Sequence, residues 1–233
     1  MAAQIDDLSD EFTAVAWDAP GFGDSSDPPE TFGLADFADR LAAFIDELGL
    51  GRPHVVGLSF GGGLALELYR RHPTVPRSLV LVSAYAGWAG SLPAETVEQR
   101  LQQALRLADL PPEQLVDELL PTLFTEAAPT ELVDAFAASM SGTHPAGLRA
   151  SARAFAEADV RDVLPTIAVP TLLMYGDKDV RAPLNVAQDL NAKIRSSRLV
   201  VLEGAGHICN LDAAGRFNTE VRGFLRSAES RRA

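Results

Sequence analysis

The chain predicts an α/β fold, a mostly parallel sheet with helices on both faces, and three observations carry that expectation. Short β-branched runs alternate with helix-periodic stretches up to about residue 84. Residues 91 to 160 then hold only helical patterns, punctuated by prolines such as Pro93, Pro111, Pro112, Pro121, Pro129 and Pro145. The alternation resumes at Val169-Pro170-Thr171. This divides the chain into a core over 1–84 and 166–233 and a helical insertion over 85–165.

Taken in order, Phe12 to Trp17 reads as the first strand, followed by the glycine-rich turn Asp18-Ala19-Pro20-Gly21-Phe22-Gly23-Asp24-Ser25. A helix over Ala35–Leu48 places Leu34, Phe37, Ala38, Leu41, Phe44, Ile45 and Leu48 on one stripe, with Gly49 as its stop. His54-Val55-Val56 is a strand run, and Gly62 to Tyr69 leads away at helical spacing. Between them stands Gly57-Leu58-Ser59-Phe60-Gly61, a G-x-S-x-G string in strand-turn-helix context. Such a turn strains its serine, exposes the hydroxyl above the sheet and aims a helix N-terminus at it. Glycine is expected at both flanks because a Cβ there would collide with neighbouring backbone. Ser78 to Ser83, Thr171 to Tyr175 and Leu199 to Leu202 supply three more strand runs. The tail after Arg226 reads as frayed.

A serine hydroxyl needs a base and an orienting acid to act as a nucleophile near neutral pH. His54 opens the strand that ends at Ser59, roughly 16 Å from it. His72 lies roughly 20 Å down the following helix, and His144 sits in a Pro-flanked surface connection. His207 remains, on Gly204-Ala205-Gly206-His207 after the last strand, at the sheet end where α/β sites gather. With chain order Ser, Asp, His, the acid falls in Gly176-Asp177-Lys178-Asp179, where both aspartates reach the neighbouring loop.

With these elements in order, the chain resembles the α/β-hydrolase superfamily from about residue 4 to 226, and Asp18 to Ser25 matches that family's D-x-x-G-x-G-x-S turn. The family's Gly-x-x-Asp-x-x-x-Pro spacing singles out Asp179, followed by Pro183, and leaves Asp177 as a turn-forming or helix-capping residue. The resemblance implies catalytic Ser59, Asp179 and His207, with the Phe60 N–H as one oxyanion donor. It makes the insertion a helical cap, or lid, whose underside would touch substrate through Trp88, Phe124 and Met140. The pairing of Gly-Asp-x-Asp with a later Gly-Ala-Gly-His is similar to small capped esterases of the 3-oxoadipate enol-lactonase-like group. A carboxylic ester or lactone is therefore the expected substrate. C–C bond hydrolases and cofactor-free perhydrolases share the triad and stay open as alternatives, while serine at the elbow disfavours epoxide hydrolases and haloalkane dehalogenases.

The family normally begins with a hairpin and a further interior strand, whose His-Gly-type loop gives the second oxyanion N–H. Here Met1 to Leu8 looks like the helix that should follow that strand. The N-terminal strands, including the oxyanion-loop strand, are thus expected to be absent. A slot should then lie beside the elbow strand unless the strand ending at Trp17 closes it by pairing directly. Two accounts remain open: Met1 is internal to a longer enzyme, or this is a short form, weakened or repurposed as a non-catalytic ligand-binding module. Association into a homo-oligomer through the open sheet is expected.

A net charge of −12 over 233 residues and a pI near 4.7 argue against nucleic acid and anionic membranes as partners. A single cysteine, Cys209, excludes an intrachain disulfide, suits a reducing compartment and reads as a buried filler beside the site. No secretory or membrane-spanning apolar run is evident, and the expected location is the cytoplasm. No metal and no cofactor are expected.

Overall fold

A computed structural model describes residues 2–126, 128–140 and 142–230. In chain order the elements are α1 (Ala2–Leu8), α2 (Leu34–Glu47), β1 (His54–Leu58), α3 (Phe60–Arg71), β2 (Ser78–Val82), α4 (Ala94–Ala108), α5 (Pro112–Leu123), α6 (Thr130–Met140) and α7 (Pro145–Glu157). A 3-10 turn over Arg161–Thr166 precedes β3 (Thr171–Gly176), α8 (Leu184–Lys193), β4 (Ser197–Leu202), α9 (Cys209–Asp212) and α10 (Ala214–Ser230).

The four strands pair in parallel in the order β1-β2-β3-β4. Every residue of β2 and β3 is buried, as continuous apolar strands covered on both faces require. One face packs Leu79, Leu81, Leu173 and Tyr175 against α2, α3 and α8, and the other packs Val80, Val82, Leu172 and Met174 against Phe217, Val221 and Leu225 of α10. The helical stretch α4–α7 lies between β2 and β3, with α4 packed along α7 and α7 reaching α2 and α3. Gly21 and Gly147 let the Asp18–Ser25 turn approach α7, because a Cβ on Gly21 would lie 2.3 Å from the Gly147 Cα.

Two expectations are corrected. Phe12–Trp17 is not a strand: it forms no regular element, exposes Val15 at 47% and pairs with no described strand. A strand is a two-body structure, and this segment's alternation finds no ladder to join. Between it and β1 lies a cavity of about 640 Å³, lined by Val55, Val56 and Leu58 of β1, by Thr13 to Trp17, and by apolar side chains of α1, α2 and α10. The slot is therefore open. On the other side of β1, Pro53 accepts from the Arg77 N–H and the Ser59 N–H donates to Val82. The alternation of a parallel ladder then turns the N–H and C=O of His54, Val56 and Leu58 toward the cavity.

The second correction concerns the tail after Arg226, which continues α10 to Ser230. Ala228 is buried there, and Glu229 ion-pairs with Arg77, contacts absent from a local reading of the sequence. Residues 231–233 of that expected frayed tail lie outside the described residues. Among the described residues, no helix is long and apolar enough to cross a membrane.

Candidate active site

Ser59 stands between β1 and α3 with φ 54° and ψ −112°, a backbone region non-glycine residues rarely adopt. The turn closes because a Cβ on Gly57 would meet the Gly61 carbonyl oxygen at 2.1 Å. Gly61 itself, expected to be equally constrained, has open space where its Cβ would be. The tight approach after the serine belongs to Gly62 and Gly63, whose Cβ atoms would meet Ala84 at 2.5 Å and the Phe155 ring at 2.3 Å. The Gly62 and Gly63 N–H groups both donate to the Ser59 carbonyl. The Phe60 N–H stands at the first position of α3, where a helix leaves its N–H groups without an intrahelical acceptor.

The acid and base follow β3 and β4. His207 Nδ1 lies 3.0 Å from both carboxylate oxygens of Asp179, and the two side chains are buried. Nδ1 therefore carries the proton donated to Asp179, leaving Nε2 as the basic nitrogen. Asp179 Oδ1 also accepts the N–H groups of Arg181 and Ala182 at 2.8 Å each. Burial pushes the Asp179 carboxyl up, but the hydrogen bond and charge of His207 and the Ala182 N–H outweigh it and hold it below the usual range. Burial likewise dominates at His207, and despite the raising effect of Asp179 the imidazole lies below its ordinary value.

The loop carrying His207 is locked from several sides. The Gly204 N–H donates to Asp177 Oδ1 at 2.7 Å, so Asp177 holds the turn, as its sequence reading implies. The Gly206 N–H donates to Asp212, the Ile208 N–H to the Leu123 carbonyl, and the Ser83 hydroxyl to the His207 carbonyl at 3.0 Å. Ser83 has φ 47° and shares this strain only with Ser59 among described non-glycine residues. Sequence reading overlooked it; its one signal is a polar residue closing the apolar run Leu79–Val82. Cys209 is fully buried with its thiol pushed up to about 12 by burial, which leaves it inert filler.

The other histidines are engaged elsewhere. His54 bonds Ser78, His72 bonds Asp39, and His144 pairs with Asp27 on the surface. Of the residues expected to touch substrate, Trp88 is half-buried with its ring 5.6 Å from that of Phe155, which in turn meets the Phe60 ring edge to face. Phe124 is buried among Leu123, Ile208 and Phe136 against the His207 loop. Met140 lies at the end of α6, its Sδ 3.9 Å from the Thr143 hydroxyl. Phe124 thus lies against the histidine loop, and Trp88 reaches Phe60 of the elbow through Phe155.

This architecture has clear relatives. Residues 2–214 match the family model for the alpha/beta hydrolase fold. The pimeloyl-[acyl-carrier protein] methyl ester esterase of Neisseria meningitidis serogroup B is 31% identical, over 95% of this chain and 87% of that protein. Among solved structures, a thermophilic esterase from Thermogutta terrifontis superposes with a TM-score of 0.88 at 29% identity, covering 97% of this chain and 84% of that one. The enol-lactonase from Burkholderia xenovorans LB400 gives 0.86 at 26% identity, covering 97% and 85%. The chain belongs to the α/β-hydrolase fold family, and its curated relatives include esterases and other hydrolases.

Proposed function

We propose that this protein is a serine hydrolase that cleaves a carboxylic ester or lactone through an acyl-enzyme. The observation that carries the reading is the buried His207–Asp179 pair on the loops after β3 and β4, at the sheet end that also bears the strained Ser59. His207 Nε2 removes the hydroxyl proton as Ser59 Oγ attacks the carbonyl carbon, and Asp179 holds the tautomer and steadies the imidazolium. The Phe60 N–H receives the developing oxyanion. Imidazolium then protonates the departing alkoxide, and the neutral ring activates water to release the acid and regenerate Ser59. The helical insertion acts as a cap that shields this chemistry and shapes the pocket. The printed activities of the relatives support an ester or lactone substrate.

A fluorophosphonate probe tests the reading. It should label the folded protein at Ser59, read by mass spectrometry of the peptide containing Gly57–Gly61. A folded chain that stays unlabelled would instead favour a non-catalytic binding module.

A further inference from the structure

His207 follows Gly204-Ala205-Gly206, a run whose glycines give the loop little stiffness of its own. Its ties to Asp177, Asp212 and Leu123 act through neighbours, the N–H groups of Gly204, Gly206 and Ile208. The main chain of His207 itself is gripped by the Ser83 hydroxyl, which donates to its carbonyl at 3.0 Å. That hydroxyl also acts on Asp179: a carboxyl that burial pushes up is held down by His207, by the Ala182 N–H and by Ser83.

The backbone around the hydroxyl is fixed as firmly. The peptide group joining Val82 to Ser83 accepts the Ser59 N–H at 2.8 Å through its carbonyl and donates its own N–H to the Met174 carbonyl at 2.9 Å. The backbones of Ser59 and His207 are therefore both referred to one residue at the exit of β2. The next two residues extend the hold. The Ala84 carbonyl accepts from the Tyr175 hydroxyl at 2.6 Å, and the Tyr85 hydroxyl donates to the carbonyl of Arg181, whose N–H holds Asp179. Ser83 itself keeps φ at 47°, in the left-handed region, and is fully buried. A side chain there is strained, and glycine would sit without that cost. What glycine could not supply is the hydroxyl.

We propose that Ser83 is a positioning residue of the candidate triad, its hydroxyl anchoring the His207 main chain so that Nε2 is presented to Ser59. This rests on the hydrolase reading and deepens it. With Nδ1 tied to Asp179 and the carbonyl tied to Ser83, the histidine is held at two ends, which fixes the direction of its free nitrogen. Ser83 acts on geometry alone, and a displacement on the order of 1 Å in a catalytic site costs about a hundredfold in rate.

Two variants test the proposal. Ser83→Gly removes the hydroxyl and the strain together, while Tyr175→Phe removes an equally buried hydroxyl from the neighbouring Ala84 carbonyl. Only Ser83→Gly should lower kcat for p-nitrophenyl acetate, on the order of a hundredfold, with KM within about twofold of wild type. The far-downfield NMR resonance of the His207 Nδ1 proton should shift or broaden in Ser83→Gly and stay in place in Tyr175→Phe. That resonance is read without turnover. A wild type that neither hydrolyses esters nor takes a fluorophosphonate at Ser59 would therefore defeat the hydrolase reading, while the resonance would still test Ser83. A Ser83→Gly kcat within about threefold of wild type would overturn the proposal. So would equal kcat losses in the two variants, or an unmoved resonance in Ser83→Gly. If Ser83→Gly does not fold, Ser83→Ala, which keeps the strain and loses only the hydroxyl, is judged by the same readings.

Discussion

The two flanks of β1 are built to different standards. Toward β2 the parallel ladder continues unbroken through β3 to β4, and the loops at its far end hold Asp179 and His207 in a buried, cross-braced pair. Toward α1 and α2 the same strand faces a cavity of about 640 Å³, lined on its other side by Thr13–Trp17 outside any regular element. Both flanks are lined by apolar side chains, so hydrophobicity does not distinguish them. What differs is whether the backbone has a partner, and backbone pairing is what fixes a loop to ångström tolerance. Ser59 sits at the junction, with the Asp179–His207 pair on the ordered flank and Phe60 at the head of α3.

The largest effects should come from breaking the ordered flank at its chemistry. Ser59→Ala should reduce hydrolysis of a p-nitrophenyl ester on the order of a millionfold, the loss typical for a nucleophile in a serine protease. Circular dichroism should show the fold intact, because the Ser59 side chain makes no hydrogen bond among the described residues that the substitution would remove. Retention of more than a few per cent of turnover would remove Ser59 from the role. Asp179→Asn should follow, on the order of ten-thousandfold through the wrong histidine tautomer. Asp177→Asn should cost far less, since Asp177 serves the Gly204 N–H and not the imidazole. Reversal of that ranking in steady-state kinetics would reassign the acid.

Stability draws the same contrast in smaller steps. Leu173, fully buried in β3, should lose about 2–5 kcal/mol on truncation to alanine. Val15→Ala, on the half-exposed segment across the slot, should stay within about 0.5 kcal/mol. Urea denaturation of the two variants measures the difference. Equal losses would mean that Thr13–Trp17 is packed in solution and the slot has closed. A complementary experiment fuses an apolar extended segment ahead of the chain through a flexible linker. Pairing with the free edge of β1 should raise Tm by several degrees and suppress binding of a hydrophobic dye; unchanged Tm and dye binding would argue against an open edge.

How much of this was legible in the sequence follows the same divide. The meeting of Asp179 with His207 was expected because both follow short apolar runs and the family's Gly-x-x-Asp-x-x-x-Pro spacing singles out Asp179 over Asp177. The slot was also readable, from the family resemblance of the segments on either side. Phe12–Trp17 misled because its alternation is a local property, whereas a strand requires a neighbour. Ala228 and Glu229 misled in the opposite direction, since contacts from elsewhere turn a polar tail into the last turn of α10. Ser83 carried only the signal of a polar residue closing Leu79–Val82, and Arg100 and Arg181 carried none: each bonds a partner distant in sequence, the His207 carbonyl, the Arg181 carbonyl and the Thr122 hydroxyl respectively.

The smallest expected effect is also the one that separates the buried His207 from the half-buried His54. His207 on the ordered flank and His54 beside the slot both lie below the ordinary imidazole value, His207 chiefly through burial, His54 through burial and then the charge of Arg77. In the proposed mechanism it is neutral His207 that accepts the serine proton, so kcat/KM should rise with pH along one ionisation whose midpoint lies below about 6.5. His54→Gln should leave that midpoint in place, because His54 bonds Ser78 at the opposite end of β1. The linked stability has a definite sign. Both His207 and Asp179 bind protons less readily folded than unfolded, so stability is full above the unfolded pKa of each and falls as pH drops through the folded one. The loss therefore begins below about pH 6.5 for His207 and continues below about 3.8 for Asp179. Urea midpoints measured from pH 8 to pH 4 should decline in the wild type, and less in His207→Gln, which keeps a neutral side chain at that position throughout. An activity midpoint above 6.5, or one that moves in His54→Gln, would mean that the proton is accepted elsewhere than at the buried His207–Asp179 pair.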